Sequence, residues 1–106
     1  MTDTVVITGI ARTPMGAFKG AFADVAAPDL GAVAIKAAIS EASVAADAVE
    51  QVVMGCVLPA GQGQAPARQA ALGADLPKAA EAVTVNKMCG SGMQAAIMAH
   101  DTIKAG

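Results

Sequence analysis

Apolar and polar positions alternate along the chain in blocks, and three of these blocks have the length and composition of strands. They are short, rich in β-branched residues, and lie at residues 5–10, 49–57 and 82–86. Continuous apolar runs of this kind are typical of strands that a parallel sheet covers on both faces. The pattern therefore predicts three buried strands.

Between and after these runs, apolar residues recur at helical spacing. One helix is predicted to start at Pro28, a second to occupy residues 66–73, and a third to occupy residues 93–105. Pro28 and Pro66 suit the first turn of a helix, where the missing N–H costs nothing, and Gly106 stands where a C-terminal cap would lie. The spacing thus predicts three helices, one after each strand.

The alternation of strand and helix predicts an α/β fold with a parallel sheet and right-handed crossovers. A sheet of only three strands has open edges, which proteins normally pair or cover. We therefore interpret residues 1–106 as a βαβαβα portion of a larger sheet with helices on both faces, incomplete by itself.

Composition adds a constraint on packing. Hydrophobic residues make up 55% of the 106 residues, yet Phe18 and Phe22 are the only aromatic ones, and alanine and glycine dominate. Thin side chains require helices and strands to approach closely, and the lack of large rings indicates a core that depends on contacts outside these residues. The formal charge is −2 without a basic cluster, so nucleic acid is a poor candidate partner.

Targeting and redox signals are absent from the sequence. The first residues lack the features of a signal peptide, and no stretch approaches the ~20 apolar residues of a membrane span. Cys56 and Cys89 are far apart and form no CxxC pair, which favours two free thiols in a reducing compartment. We therefore predict a cytoplasmic protein without a metal site, a bound cofactor or a membrane partner.

The candidate chemistry lies at Cys89, where a strand is followed by a sharp turn and a helix. Such a turn lifts the sulfur off the end of the sheet and places it at the positive end of a helix, which favours thiolate. Flanking glycines leave room for a substrate carbonyl to reach backbone donors. We predict Cys89 as nucleophile, with a supporting turn formed by Asn86, Met88, Gly90, Ser91 and Gly92.

Other residues receive structural interpretations. A cysteine by itself is often a small buried hydrophobe, and this interpretation is preferred for Cys56, while the two glycines beside Cys89 favour the nucleophile there. His100 follows Cys89 by eleven residues on the same predicted helix, roughly 16 Å along the axis, and so cannot be its base.

Three further features are assigned to structure rather than binding. Residues 61–63, Gly-Gln-Gly, are predicted as a flexible turn and not as a dinucleotide fingerprint. Arg12 and Arg68 are predicted to be solvated or structurally paired. Most of the six methionines are predicted to fill the core, with an acyl pocket as the alternative.

At this point the sequence resembles the N-terminal part of the thiolases, acetyl-CoA acetyltransferases in particular. The resemblance covers nearly the whole chain in family order, through residues 6–16, 57–64, 66–71 and, most specifically, 86–95 (Asn-Lys-Met-Cys-Gly-Ser-Gly-Met-Gln-Ala). The Gly-Gln-Gly-Gln segment is similar to the biosynthetic acetoacetyl-CoA branch, in which asparagine commonly stands at the position of Ala65. The fold implied is thiolase-like, with a mixed, mainly parallel sheet, and residues 1–106 would be a portion of its N-terminal domain.

The resemblance implies a mechanism as well. Cys89 would accept an acetyl group from acetyl-CoA or a 3-ketoacyl-CoA, with coenzyme A thioesters as substrates, and a second acetyl-CoA would attack the thioester in a ping-pong reaction. In the family, the activating histidine and the second cysteine lie in C-terminal segments, and neither His100 nor Cys56 matches them. The family also implies a homodimer or homotetramer, with residues 82–86 at the dimer interface.

Two alternatives remain beside a thiolase that needs the rest of its chain for activity. The first is a non-catalytic fragment or interaction module, favoured by the missing base and by the open sheet. The second is a thiol-based redox or acyl-carrier protein that uses Cys89, which requires no second half.

Overall fold

Residues 4–106 are described by a computed structural model, in which strands and helices alternate after an irregular N-terminal stretch. In chain order the elements are helix α1 (Ala27–Ala42), a 3₁₀ turn (Ala46–Ala48), strand β1 (Gln51–Gly55), helix α2 (Pro66–Gly73), strand β2 (Glu81–Val85) and helix α3 (Ser91–Ala105). The predicted α/β fold is confirmed, and Pro28 and Pro66 both lie in the first turn of their helices as predicted.

The two strands form a parallel pair, connected by α2. The register runs from Gln51 opposite Glu81 to Gly55 opposite Val85, so both strands end at the same edge of the sheet. Both are shorter than or offset from the predicted runs at 49–57 and 82–86. Because parallel strands end together, the loops that follow β1 and β2 meet at this edge.

Alternate residues of β1 face different helices. Val52 belongs to the core cluster with α1 and α2, and Met54 packs against that cluster. Gly55 instead faces the start of α3, where a Cβ would meet the backbone of Ser91. Side chains of a strand alternate between the two faces, so α1 and α2 cover one face and α3 covers the other. Helices on both faces were predicted, and this is confirmed.

Helices α1 and α2 approach each other closely through small residues. A Cβ on Gly31 would lie 3.1 Å from the Ala70 Cβ, and one on Gly73 would lie 3.1 Å from the Ala32 Cβ. The close approach predicted from the alanine- and glycine-rich composition is therefore present. The buried core cluster consists of Ala32, Val52, Ala71, Ala74 and Leu76.

The first predicted strand, residues 5–10, is wrong for the described part of the chain, which has a two-stranded sheet. The segment lies beside α1, where a Cβ on Gly9 would overlap the Ala38 carbonyl oxygen. A groove of about 960 Å³ is lined by Gly9, Ile10, α1, β1 and α3. The groove separates the segment from β1, so the segment has no strand to form a ladder with. Val6, Ile7 and Ile10 are 67%, 85% and 70% exposed rather than covered. An apolar pattern predicts burial, but a strand also needs a neighbouring strand to bond with, and the pattern does not show whether one is present.

Candidate active site

Cys89 lies at the edge of the sheet where β1 and β2 end. Only residues 86–90 separate the end of β2 from the start of α3, and Cys89 directly precedes Gly90, the N-terminal cap residue of that helix. Its side chain is exposed. The predicted strand, turn and helix are therefore present, and the thiol stands free at the positive end of a 15-residue helix.

The turn before Cys89 is tight and closed by backbone hydrogen bonds. Met88 adopts a left-handed conformation with φ of 47°, which is unfavourable for a residue with a side chain. The Gly90 N–H donates to the Lys87 carbonyl at 2.9 Å, and the Ser91 N–H donates to the Met88 carbonyl at 3.1 Å. A strained residue of this kind persists only where its surroundings hold it in place.

Ser91 supplies part of that restraint from inside the turn. It is 3% exposed and is the buried polar residue of the described chain. Its Oγ accepts a hydrogen bond from the Lys87 N–H at 2.8 Å and donates one to the Met88 carbonyl at 2.6 Å. The hydroxyl thus connects the first residue of α3 to both residues before Cys89.

Asn86 holds the same turn from its outer side. Its Oδ1 accepts a hydrogen bond from the Met88 N–H at 3.0 Å, and its Nδ2 donates to the Val57 carbonyl at 3.1 Å. One amide therefore fixes the left-handed residue and also connects the turn to the loop that follows β1.

Glycines have two different roles near Cys89. A Cβ on Gly55 would lie 2.5 Å from the Ser91 carbonyl carbon and 2.6 Å from the Gly92 nitrogen, so only glycine lets β1 approach the start of α3 this closely. A Cβ on Gly92 would meet nothing within 4 Å. Of the predicted supporting residues, Asn86, Met88, Gly90 and Ser91 are brought together by hydrogen bonds, while Gly92 borders open space.

His100 does not lie where it could act as a base for the Cys89 thiol. The histidine lies on α3 with an exposed ring whose Nδ1 is 3.0 Å from an Asp101 carboxylate oxygen. The nine residues from Ser91 to His100 correspond to roughly 14 Å of helix. Helix α3 thus spans nearly all of the residues between Cys89 and His100, as the predicted separation assumes.

The loop after β1, residues 57–64, contains the predicted Gly-Gln-Gly turn and is fixed by two glutamine side chains. Gln62 Nε2 donates to the Leu58 carbonyl at 2.7 Å, and Gln69 Nε2 donates to the Gln62 and Gln64 carbonyls, both at 2.7 Å. We call residues 57–64 the bracing loop. Its first residue, Val57, is the one that Asn86 contacts.

Cys56 and Arg68 have the structural positions predicted for them. Cys56 is half-buried beside a cavity of about 60 Å³ and receives a hydrogen bond from Gln62 Nε2 at 3.4 Å. Arg68 donates to the Ala80 carbonyl at 2.7 Å and the Lys78 carbonyl at 2.8 Å, which connects α2 to the segment before β2.

The prediction that most methionines fill the core is wrong. Met1 lies outside the described residues. Met15, Met88 and Met93 are 89%, 68% and 73% exposed, and among residues 4–106 only Met54 packs against the core cluster. The core between α1 and α2 is closed by alanine and glycine, which leaves little space for long side chains there. Two of the exposed methionines, Met88 and Met93, flank Cys89 along the sequence.

Three residues at the site were not found by sequence reasoning. Gln62 and Gln69 lie in the segments 57–64 and 66–71 that carry the resemblance, but no role was assigned to them, and Gly55 belongs to no motif. Their importance depends on which backbone atoms the fold brings near them. The only signal for Gly55 was a glycine at the end of an apolar strand, which is typical of a close backbone approach.

A doubly covered parallel sheet that presents a cysteine between a strand and a helix places a thiol at the edge where α/β folds bind their ligands. The family described as thiolase, N-terminal domain, matches residues 5–106. The chain belongs to the thiolase family.

Individual relatives agree with this assignment. The chain is 52% identical over 106 residues to an acetyl-CoA acetyltransferase of Cupriavidus necator and 49% identical over 104 residues to the mitochondrial acetyl-CoA acetyltransferase B of Xenopus laevis. It covers 27% and 25% of those proteins, so it spans about a quarter of their length.

A solved structure shares the backbone arrangement. The Acat5 thiolase of Ascaris suum, in complex with coenzyme A, has a TM-score of 0.92 and 39% sequence identity over 94% of this chain and 26% of that one. The thiolase-like fold predicted from the resemblance is therefore confirmed for this portion. Among residues 4–106, no helix has the length and apolarity that crossing a bilayer requires.

Proposed function

We propose that this chain carries the nucleophilic half of an acetyl-CoA acetyltransferase. In this proposal the Cys89 thiolate attacks the carbonyl of an acetyl-CoA thioester, a new carbon–sulfur bond forms, and coenzyme A leaves as its thiolate. The main support is the exposed thiol at the start of α3 in a chain of the thiolase family. On a 3-ketoacyl-CoA the thiolate would attack the 3-keto carbonyl and the C2–C3 bond would break. Acetyl-CoA would then leave as its enolate, which takes a proton from a group outside the described residues, and thiolysis would continue from the acyl-cysteine.

The turn offers donors for the negative charge that develops on the carbonyl oxygen. The N–H groups of Gly90 and Ser91 are already bonded to the Lys87 and Met88 carbonyls. The N–H groups of Cys89 and Gly92 lie on either side of these two along the chain. We propose them as candidates for an oxyanion site, together with the partial positive charge of the helix end.

The second half-reaction needs groups outside the described residues. A second acetyl-CoA must lose a proton from its methyl carbon before it attacks the acyl-cysteine, and His100 is too distant to act at Cys89. We therefore propose that activity requires the further length found in the relatives, and we call the chain together with that part the full-length protein. The open apolar groove beside β1 supports this, because it leaves one edge of the sheet without a neighbour.

By the same proposal the chain alone is inactive, the protein is cytoplasmic, and it works as a homodimer or homotetramer without a resident cofactor. A non-catalytic interaction module is the second candidate, favoured by the exposed apolar side chains of residues 6, 7 and 10. Turnover would exclude that candidate for the full-length protein.

The test is acyl-enzyme formation in the full-length protein. After brief incubation with acetyl-CoA, peptide mapping by mass spectrometry should place one acetyl group on Cys89, and Cys89→Ala should remove both this adduct and turnover. Cys56→Ala is the matched control and should keep the adduct. An acetyl adduct of undiminished yield in Cys89→Ala would refute the proposal.

A further inference from the structure

The bracing loop is held by side-chain hydrogen bonds, although it contains neither helix nor strand. Two glutamine side chains bond its carbonyls at Leu58, Gln62 and Gln64, and the Gln62 N–H donates to the Pro59 carbonyl at 3.1 Å. Gln69 belongs to α2, so the loop is connected to a helix that packs on the core. The position of the loop is thus determined by the body of the fold.

A hydrogen bond connects the loop to the turn at residues 86–90, which carries Cys89. Asn86 Nδ2 donates to the Val57 carbonyl at 3.1 Å, next to the backbone bond from the Cys56 N–H to the Val85 carbonyl at 2.9 Å. Main-chain hydrogen bonds thus extend the ladder of β1 and β2 as far as Cys56. At the next residue, Val57, the bond is made by the Asn86 side chain instead.

The geometry of the Asn86 side chain couples its bond to Val57 to its bond with Met88. A side-chain amide is planar, so its oxygen and nitrogen cannot be oriented independently. If the Val57 carbonyl moves, Nδ2 follows it and Oδ1 rotates away from the Met88 N–H, which it now accepts at 3.0 Å. Met88 has φ of 47° and directly precedes Cys89, so a loss of this bond releases the strained residue that aims the sulfur.

We propose that the bracing loop positions Cys89, with Gln62 and Gln69 as positioning residues that act through Val57 and Asn86. Gln62 contributes through its donated bonds, because its Oε1 is buried and accepts no hydrogen bond within the described residues. Neither glutamine is bonded to Cys89 or to the turn at residues 86–90. The inference rests on the proposed role of Cys89 as nucleophile.

The experiment compares Gln62→Leu, Gln69→Leu and Asn86→Ser in the full-length protein. A serine at position 86 can still accept from the Met88 N–H two residues later but is too short to reach Val57, so it breaks only the connection to the loop. Gln51→Leu, at the opposite end of β1, is the matched control. The readouts are the rate of Cys89 acetylation in a single turnover, the KM for acetyl-CoA, and the rate of Cys89 alkylation by iodoacetamide, mapped by peptide.

We expect single-turnover acetylation to fall about tenfold or more in all three variants, with unchanged KM, because a misplacement of about 1 Å can lower a rate by 10²-fold. Gln51→Leu should keep the parental rate. The double variant Gln62→Leu with Asn86→Ser should be no slower than Asn86→Ser alone, since both changes break the same connection.

Parental acetylation and alkylation rates in Asn86→Ser would overturn the proposal, whether or not the glutamine variants fold. A multiplicative loss in the double variant, or an equal loss in Gln51→Leu, would also overturn it. If the parent protein forms no acetyl adduct, the proposed function fails, and the alkylation rates still decide whether the loop controls Cys89.

Discussion

Gly55→Ala tests whether the contact between β1 and α3 determines the position of Cys89, the proposed nucleophile. The added Cβ would lie 2.5 Å from the Ser91 carbonyl carbon, 2.6 Å from the Gly92 nitrogen and 2.8 Å from the Ser91 carbonyl oxygen. Carbon contacts normally settle at about 3.5 Å, so the start of α3 must move by about 1 Å. All three neighbours are main-chain atoms, and none can yield by rotating a side chain.

The expected loss of stability follows from two opposing terms. Overpacking typically costs about 1–3 kcal/mol, and close contacts that are all with backbone atoms place Gly55→Ala near the upper value. Alanine regains about 0.5–1 kcal/mol because it has less backbone freedom than glycine in the unfolded chain. The free energy of unfolding should therefore fall by about 2 kcal/mol, which at a slope of about 3 kcal/mol per molar urea lowers the unfolding midpoint by about 0.7 M.

The assay is urea unfolding of the full-length protein followed by circular dichroism, together with single-turnover acetylation of Cys89. Gly92→Ala is the control for stability, because its Cβ meets no atom within 4 Å and lies in the first turn of α3. Its stability should stay the same or rise by up to about 1 kcal/mol. Acetylation in Gly55→Ala should fall by up to about 10²-fold. Equal stability in the two variants, or a destabilised Gly55→Ala that acetylates at the parental rate, would refute the reasoning.

Three further substitutions test other parts of the site. Ser91→Ala removes the acceptor of the Lys87 N–H and should destabilise the protein by about 1–3 kcal/mol, while Thr102→Ala, which loses an exposed bond to the Met98 carbonyl, should change stability little in the same denaturation assay. Ala65→Gly should stabilise the protein by roughly 0.5–1 kcal/mol, because Ala65 has φ of 46°, which glycine adopts without strain. Ala96→Gly, within α3, is the control and should destabilise the protein. A melting temperature lowered by Ala65→Gly would contradict this reasoning. His100→Asn should leave the initial rate of acetoacetyl-CoA synthesis unchanged, and a loss comparable to that of Cys89→Ala would show that the histidine does act at the thiol.

The sequence alone determined the class of the fold and the position of the proposed nucleophile, Cys89. Local pattern suffices for these, because strand and helix periodicities differ and because a cysteine followed by two spaced glycines at the start of a predicted helix is a local arrangement. The spacing from Cys89 to His100 likewise indicates their separation, because α3 spans nearly all of the residues between them. The helix at Pro66–Gly73 agrees with its prediction at both ends, since proline and glycine determine its limits.

The tertiary structure decided the rest, for physical reasons that a local pattern does not contain. Residues 5–10 have the composition of a buried strand, yet a strand requires a hydrogen-bonding partner, and α1 and an open groove are what the fold places beside them. The roles of three further residues depend on backbone atoms that only the fold brings near them. Gly55 permits α3 to approach β1, and the side-chain amides of Gln62 and Gln69 bond the carbonyls of the bracing loop. The sequence by itself thus determined which atom can react, and the tertiary structure decided what holds that atom in place.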